Sequence, residues 1–227
     1  MVSDRLLDHV RGTYSRLRRG MAVIAFLLPF FLWFGGSLFF GVPLRPSISA
    51  YYHAGAHLRD VLVGVLFAIG VFLYLYKGED WREDWLLNLA GVSALGIAYF
   101  PVTGGGDCSA SGRGTTVHGI FSVLFFGAIT VVCVMAARRP PAEGQGRRLV
   151  RHRLYYDLCA VVMLASVLLG LAYALVLPGA MKLVLCQISI VFWVEAFGVW
   201  AFSAFWLLRT LELDAEISWL PWRGERA

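Results

Sequence analysis

Charged residues are scarce in this chain: Lys and Arg number 20 and Asp and Glu 15 among 227 residues, whereas 59% of the chain is hydrophobic. A soluble core cannot hide that much apolar surface, so the composition excludes an ordinary soluble domain and indicates a membrane protein. Six apolar runs approach the length of about 17–25 residues that crosses a bilayer. They cover residues 21–42, 60–76, 85–102, 117–137, 154–177 and 183–208. The predicted fold is therefore an all-α integral membrane bundle of six transmembrane helices.

A cleavable signal peptide is also lacking, because the first apolar run begins only after about twenty polar residues and is too long for such a peptide. The preceding stretch predicts an amphipathic helix on the inner leaflet, with apolar residues on one side and arginines around the rest. A partner-binding helix is the alternative. We expect three regions: a cytoplasmic amphipathic helix at 1–20, the six-helix transmembrane domain at 21–208 and a cytoplasmic tail at 209–227.

Basic residues are sparse in every second connection between the apolar runs. One set of connections carries only Arg45, Arg59, Arg113 and Lys182. The other set carries Arg5, Arg11, Arg16, Arg18, Arg19, Arg138, Arg139, Arg147, Arg148, Arg151 and Arg153. By the positive-inside rule, both termini are cytoplasmic and the protein belongs in a cell membrane, either plasma or bacterial inner. The net charge of +5 is thus expected to meet membrane lipids and not nucleic acid.

Cysteine is rare as well, with four residues in the chain. Cys108 falls in the external connection between the third and fourth apolar runs and Cys186 at the external start of the sixth, where an oxidising compartment allows them to form a disulfide. Two unpaired thiols are the alternative, since two positions do not establish the geometry. Cys133 and Cys159 are expected to be buried, inert apolar residues.

The segment from Pro46 to Asp60 is the main concentration of polar groups between two apolar runs. If Pro46 opens a helix, the side chains spaced by about one or two turns share one stripe. These are Ser49, His53, His57 and Asp60. Placing ionisable groups at the mouth of a membrane bundle costs desolvation, so the stripe suggests a functional site.

His118 begins the fourth apolar run on the same predicted side of the membrane. Two histidines four residues apart on a helix, with a third from another helix, form a typical zinc ligand set. We therefore expect His53, His57 and His118 to bind zinc, whose coordinated water becomes a nucleophile near neutral pH. Asp60 would orient an imidazole or act as general base, and Ser49 would hold the water or polarise a carbonyl.

The alternative for the same residues is a solvated helix entrance without chemistry. In that case Arg59 and Asp60 pair with neighbours or headgroups, and Tyr51 and Tyr52 belong to the aromatic belt at the membrane surface.

The Ser49-Ala-Tyr-Tyr-His53 element, with Asp60 downstream, resembles the Ser-x-x-x-His element of the CREST superfamily, which includes alkaline ceramidases, progestin and adiponectin receptors and hemolysin III-like proteins. The resemblance implies a zinc-dependent amide hydrolase acting on lipids. It implies that His53 ligates zinc and that Ser49 and Asp60 support the catalytic water. The chain departs from that family in having six predicted spans where the family has seven, and in lacking a histidine pair on its last helix.

Glu195 lies twelve positions into the sixth apolar run, which corresponds to a depth of about 18 Å along a helix. A carboxylate near the middle of the membrane indicates a functional or packing role. With Gln187 two turns above it, Glu195 is expected to support the metal site or to line a proton or substrate pathway. The alternative is a protonated carboxyl bonded to a backbone carbonyl or to a hydroxyl such as that of Ser189 or Ser203.

These observations favour a metal-dependent hydrolase acting on a lipid or small amphiphilic substrate at the external face. Zinc is the expected cofactor, and Ser49, Asp60 and Glu195 are the expected catalytic residues. The competing hypothesis is a non-enzymatic transporter or lipid-binding protein that uses an outer polar vestibule and Glu195. A purely structural role is the third hypothesis.

Overall fold

The computed structural model describes residues 4–103, 108, 116–139 and 146–218, and all regular structure within them is helical. The helices are α1 (Asp4–Phe30), α2 (Gly36–Phe40), α3 (Ala56–Leu75), α4 (Trp81–Tyr99), α5 (Thr116–Ala137), α6 (Gly146–Leu175), α7 (Gly179–Gln187) and α8 (Ile190–Ser218). A π-helical turn at Phe31–Gly35 joins α1 to α2, and a 3-10 turn at Ser49–His53 precedes α3. Five segments are long and apolar enough to cross a membrane. They are Gly12–Phe40, Ala56–Leu75, Val117–Ala137, Arg153–Leu175 and Ile190–Glu212.

Six long helices form a closed ring in the order α1, α3, α4, α5, α6, α8, with α8 packed back against α1. At one end of the ring, Glu83 of α4 pairs with Arg139 and Arg209. At the other end, Phe100 follows α4 and its carbonyl meets His118. We call the first the charged end and the second, which also holds Cys108 and Cys186, the disulfide end. The helix α4 therefore runs the full distance between the two ends of the ring.

The ring closes where α1 and α8 meet in antiparallel orientation. Side chains of one helix donate hydrogen bonds to backbone carbonyls of the other at three levels. The pairs are Arg18 to Arg209 O (3.3 Å), Ser203 to Ala22 O (2.7 Å) and Trp200 to Phe26 O (3.1 Å). Such bonds are useful in an apolar interface because they fix the register of two helices without exposing polar groups to lipid.

Two glycines bring α3 and α4 into close backbone contact. A Cβ atom built on Gly70 would lie 2.9 Å from Gly91 O, and one built on Gly91 would lie 2.7 Å from Gly70 O. Neither distance accommodates a side chain. Small residues at helix crossings are typical of membrane bundles, where packing replaces the hydrophobic effect as the main attraction.

The charged end is held by an ion-pair network with a buried centre. Glu83 is 0% exposed and accepts from Arg139 and from Arg209, which is 4% exposed. Glu79 pairs with the same two arginines, at 2.5 Å and 2.7 Å. The network joins the start of α4 to Arg139, just after α5, and to Arg209 within α8.

The helix bounds differ from the limits of the predicted apolar runs. The helix α1 continues without a break through residue 20, where the amphipathic helix was expected to end. The last apolar run is divided into α7 and α8 by Ser189, whose φ of 53° lies in the left-handed region. Hydropathy does not detect such a break, because both helices are apolar. The helix α8 also continues to Ser218, beyond the expected end at 208, and residues 219–227 lie outside the described part of the chain.

The contact between α3 and α4 gives a direct test of the packing. We expect Gly70→Ala to destabilise the protein by about 1–3 kcal/mol, because the new methyl group overlaps a backbone oxygen of α4. The matched control is Gly64→Ala on the same helix, where a Cβ meets nothing within 4 Å. This control should be neutral or stabilising by about 0.5–1 kcal/mol through reduced backbone entropy. Thermal unfolding of both variants in one detergent measures the difference, and equal shifts of the same sign would contradict the packing.

Candidate functional site

The polar segment at the disulfide end is a compact turn and not a continuation of α3. The helix α2 ends at Gly41, whose φ is 63°, and the 3-10 turn is separated from α3 by Gly55, whose φ is 119°. The single helix expected from Pro46 onward is therefore wrong. Ser49 and His53 lie on the turn, whereas His57 and Asp60 lie on α3, so the four side chains do not form one stripe. The physical reason is the glycine at position 55, whose backbone conformation interrupts a helix.

Ser49 and His118 meet across the disulfide end. The hydroxyl Oγ of Ser49 lies 3.0 Å from Nε2 of His118, and Nδ1 of His118 lies 2.9 Å from the carbonyl oxygen of Phe100. A carbonyl oxygen can only accept, so Nδ1 carries the hydrogen of the neutral imidazole and Nε2 is the acceptor. The hydroxyl of Ser49 therefore donates to His118. The imidazole is buried at 8% exposure, and Ser49 is partly exposed.

Glu195 clamps the turn that carries Ser49. Its carboxylate accepts from the backbone N–H of Ile48, at 2.6 Å, and from that of Ser49. One turn earlier on α8, the N–H of Phe192 donates to the carbonyl of Pro46 at 2.8 Å. Glu195 thus satisfies the first amides of the 3-10 turn, in the manner of a helix cap supplied by another segment of the chain.

The depth expected for Glu195 is wrong. The helix α8 begins at Ile190, so Glu195 is only about 8 Å along it and lies at the disulfide end. Gln187 ends α7 and does not share a helix with Glu195. The left-handed residue Ser189 accounts for both errors, because it starts a new helix close to the carboxylate.

Tyr51 anchors the turn in the core. Its side chain is 0% exposed, its ring packs 6.1 Å from that of Phe192, and its hydroxyl accepts from the backbone N–H of Arg45 at 3.3 Å. The position expected for Tyr51 in an aromatic belt is therefore wrong. A fully buried tyrosine two residues after Ser49 fixes the position of the turn, and with it the position of the Ser49 hydroxyl.

The remaining predicted site residues are more dispersed. His53 is exposed, and its Nε2 lies 2.8 Å from the carbonyl oxygen of Val102. The ring of His57 stacks on Phe40 at 5.2 Å. Asp60 pairs with its exposed neighbour Arg59 at 3.2 Å, as in the solvated alternative. No group of three His, Cys, Asp or Glu residues suited to a metal ion occurs within the described part of the chain.

A disulfide joins the connection after α4 to α7. Cys108 and Cys186 are bonded, with their Cα atoms 5.7 Å apart, whereas Cys133 and Cys159 are buried free thiols. The structure thus contains the bonded alternative of the two that the sequence left open. The same connection begins with Phe100 and Val102, whose carbonyls hold the two imidazoles, so the disulfide tethers the backbone that orients them.

Sequence reasoning missed the contacts that orient this site. The carbonyl of Phe100 leaves no signal in a sequence, because every residue has one. The proximity of Ser49 and His118 joins positions 69 residues apart and depends on the whole ring of helices. A short turn ending in glycine was the one available signal that Ser49 is not on a regular helix.

We expect Glu195→Ala to destabilise the protein by about 1–3 kcal/mol, because two buried amides lose their acceptor. Hydrogen exchange at Ile48 and Ser49 should become faster than in the native protein. Glu195→Gln is the matched control, since it keeps an acceptor oxygen and should lose less stability. Exchange rates at these two amides that do not change in Glu195→Ala would contradict the clamp.

Comparisons with protein-family models, with curated proteins and with solved structures give no match to this chain. The resemblance to the CREST superfamily therefore stays a prediction, and the geometry of the disulfide end carries the functional argument.

Proposed function

We propose that this chain is a six-span membrane hydrolase that cleaves an ester or amide bond of a lipid-like substrate at the external face. Ser49 is the nucleophile and His118 is its general base. The observation that carries the proposal is the hydrogen bond from Ser49 Oγ to His118 Nε2, with the opposite ring nitrogen held by Phe100 O. A nucleophile, a base and a group that orients the base are the minimum set for acyl transfer through a covalent intermediate.

The reaction follows from this geometry. Ser49 Oγ attacks the acyl carbon as its proton passes to His118 Nε2, and the carbonyl electron pair moves to oxygen. When the tetrahedral intermediate collapses, the leaving alcohol or amine takes the proton from Nε2 and the acyl group stays on Ser49. Water then repeats the sequence and releases the acid. Nδ1–H keeps its bond to Phe100 O throughout, so the carbonyl dipole stabilises the imidazolium.

The surroundings favour an amphiphilic substrate. The base is buried while the nucleophile is partly exposed. The hydroxyl is therefore accessible to a substrate, whereas the imidazole stays shielded from solvent. Leu38 and Phe39, at the end of α2, are 78% and 70% exposed. Large apolar side chains exposed on a membrane helix face acyl chains, and the adjacent turn is then at the depth where acyl chains join their headgroups.

The six-span topology rests on α4. Its first turn contains Arg82, Glu83 and Asp84, which lowers its apolar character, yet it packs between α3 and α5 from one end of the ring to the other. Charges in the first turn fit a helix whose end lies at the headgroups. With α4 included, the chain crosses the membrane six times, and an even number of crossings puts the N-terminus and the C-terminus on the same side.

The orientation has two independent supports. Arginines concentrate in the connections at the charged end, which favours a cytoplasmic position by the positive-inside rule. The disulfide between Cys108 and Cys186 lies at the other end, which favours an oxidising external compartment. The catalytic pair, at the disulfide end, is then external.

A metal-assisted version of the same hydrolysis is the second candidate, in which zinc is held by His118, His53 and His57. It is favoured by one observation: His118 and His53 each use one ring nitrogen on a backbone carbonyl, of Phe100 and of Val102. Zinc-ligating histidines usually have such a partner on the nitrogen that does not bind the metal. In this version the metal would supply Lewis-acid chemistry, Ser49 would not act as the nucleophile, and Ser49, Asp60 and Glu195 would position the attacking water.

The transport alternative requires Glu195 to exchange a proton or to bind a headgroup. Its carboxylate is engaged by the amides of Ile48 and Ser49, which supports a role in positioning the turn. The transport hypothesis stays a prediction without a specific contact in its favour.

We expect a fluorophosphonate probe to label the purified protein at Ser49, with a bond between Oγ and phosphorus and release of fluoride. Labelling should be absent in Ser49→Ala, and His118→Gln should slow it by about 10²-fold or more, the usual contribution of a general base. Ser37→Ala, an exposed serine on α2 at the same end, is the matched control and should label normally. Mass spectrometry of the modified peptide measures each rate.

Two outcomes would overturn the serine mechanism. One is equal labelling of Ser49→Ala and the native protein. The other is an unlabelled native protein that contains stoichiometric zinc, lost in a His53→Ala/His118→Ala variant, and this outcome would favour the metal-assisted candidate.

Cysteine labelling on intact cells tests the topology. A membrane-impermeant maleimide should label Gly179→Cys at the start of α7 and should not label Arg82→Cys at the start of α4. The native cysteines give little background, since two are bonded and two are buried. If α4 does not cross the membrane, the parity changes and both positions react alike.

A further inference from the structure

The charged end contains a second buried guanidinium besides that of Arg209, which pairs with carboxylates. Arg18 of α1 is 6% exposed, and its Nη1 donates to the backbone carbonyl of Arg209 at 3.3 Å. Its guanidinium carbon lies 5.1 Å from the ring centre of Tyr14 and 4.9 Å from that of Tyr76. No salt bridge to a carboxylate is formed by Arg18 within the described residues, and its Nε has no hydrogen-bond acceptor there.

Within the described residues, the carboxylates that form ion pairs at this end do so with other cations. Glu79 and Glu83 each pair with Arg139 and Arg209, and Asp84 pairs with Lys77 at 2.6 Å. Because a buried cation without a close counter-ion is costly, an anion bound beside Arg18 would stabilise it.

Hydrogen bonding at the charged end also leaves a buried donor without an acceptor in the described part of the chain. The indole Nε1 of Trp206, whose ring centre lies 4.9 Å from that of Tyr76, is buried and has no acceptor in the described part of the chain. Arg18 Nε and Trp206 Nε1 are thus two buried donors on side chains that contact the same tyrosine. A ligand that places an acceptor oxygen and a negative charge beside Arg18 would satisfy its Nε.

We propose that Arg18 and its aromatic neighbours form a binding site for an anionic phosphate ester at the charged end. The planar guanidinium presents several N–H groups in the geometry that phosphate oxygens accept, which a lysine does not. The position fits a lipid headgroup, because Arg18 precedes the apolar part of α1 by only a few residues and lies beside the exposed Arg16 and Arg19. A free phosphate has the same chemistry, so the experiment separates the two sources. The site is independent of the hydrolase, which is at the other end of the ring.

Native mass spectrometry of the full chain in detergent tests the site, with titrations of phosphatidylglycerol, phosphatidylcholine and inorganic phosphate. We expect one phosphatidylglycerol to bind at least about tenfold more tightly than phosphatidylcholine, since a charged hydrogen-bonded contact is worth about one power of ten in affinity. Arg18→Gln should remove this preference. Arg16→Gln removes the same charge from an exposed position on the same helix and should retain it. Arg18→Lys, which keeps the charge without the planar fork, should bind with intermediate affinity.

The outcomes are distinct. Tight binding of inorganic phosphate that is lost in Arg18→Gln would support the site with a soluble ligand as its source. A native protein that neither prefers phosphatidylglycerol nor binds phosphate would overturn the proposal, whatever the stability of the variants. Unchanged preference in Arg18→Gln or Arg18→Lys, with helical content verified by circular dichroism, would overturn it as well.

Discussion

The carboxylate of Glu195 satisfies the constraint that shapes the disulfide end of the protein. Backbone polar groups near hydrocarbon need partners within the protein, which usually restricts membrane segments to regular helices. The segment between α2 and α3 is not a regular helix, so its amides need other acceptors. Glu195 supplies them for Ile48 and Ser49, Ser47 supplies one for Ala50 at 3.0 Å, and Pro46 receives the amide of Phe192. An irregular turn can therefore lie against the bundle and present a hydroxyl that a straight helix would not place beside His118.

The two ends of the ring are held together by different interactions. At the disulfide end, histidines bond to backbone carbonyls and a covalent bridge joins Cys108 to Cys186 of α7. At the charged end, paired arginines and carboxylates join α4, α5 and α8. Buried ion pairs are strongly destabilised when one partner is removed, so this end is held in one arrangement. A bundle fixed firmly at one end can carry a more polar and less regular site at the other.

Hydropathy predicted the helical class of the fold, and five apolar runs correspond to helices that are suited to cross a membrane. The contacts of the site were not predictable in the same way. Ser189 and Gly55 break helices through backbone angles that apolar patterning does not record. Because each break was missed, the predicted positions of several side chains on their helices were wrong. Glu195 was identified as important from its charge alone, but its location required knowledge that α8 begins at Ile190. The bridge between Cys108 and Cys186 was one of two open alternatives, since spacing in sequence does not determine distance in space.

The bond between Ser49 and His118 gives the buried acceptor Nε2 a partner, and in the proposed hydrolase the same bond would activate the nucleophile. The turn is already fixed by Glu195, by the buried ring of Tyr51 and by the amide of Phe192. His118 is already oriented by the carbonyl of Phe100. Burying an imidazole costs desolvation free energy, and the bonds to Ser49 and Phe100 offset part of that cost. The pair also places a hydroxyl against a ring nitrogen of defined tautomer, and this is the geometry on which the proposed nucleophilic mechanism depends.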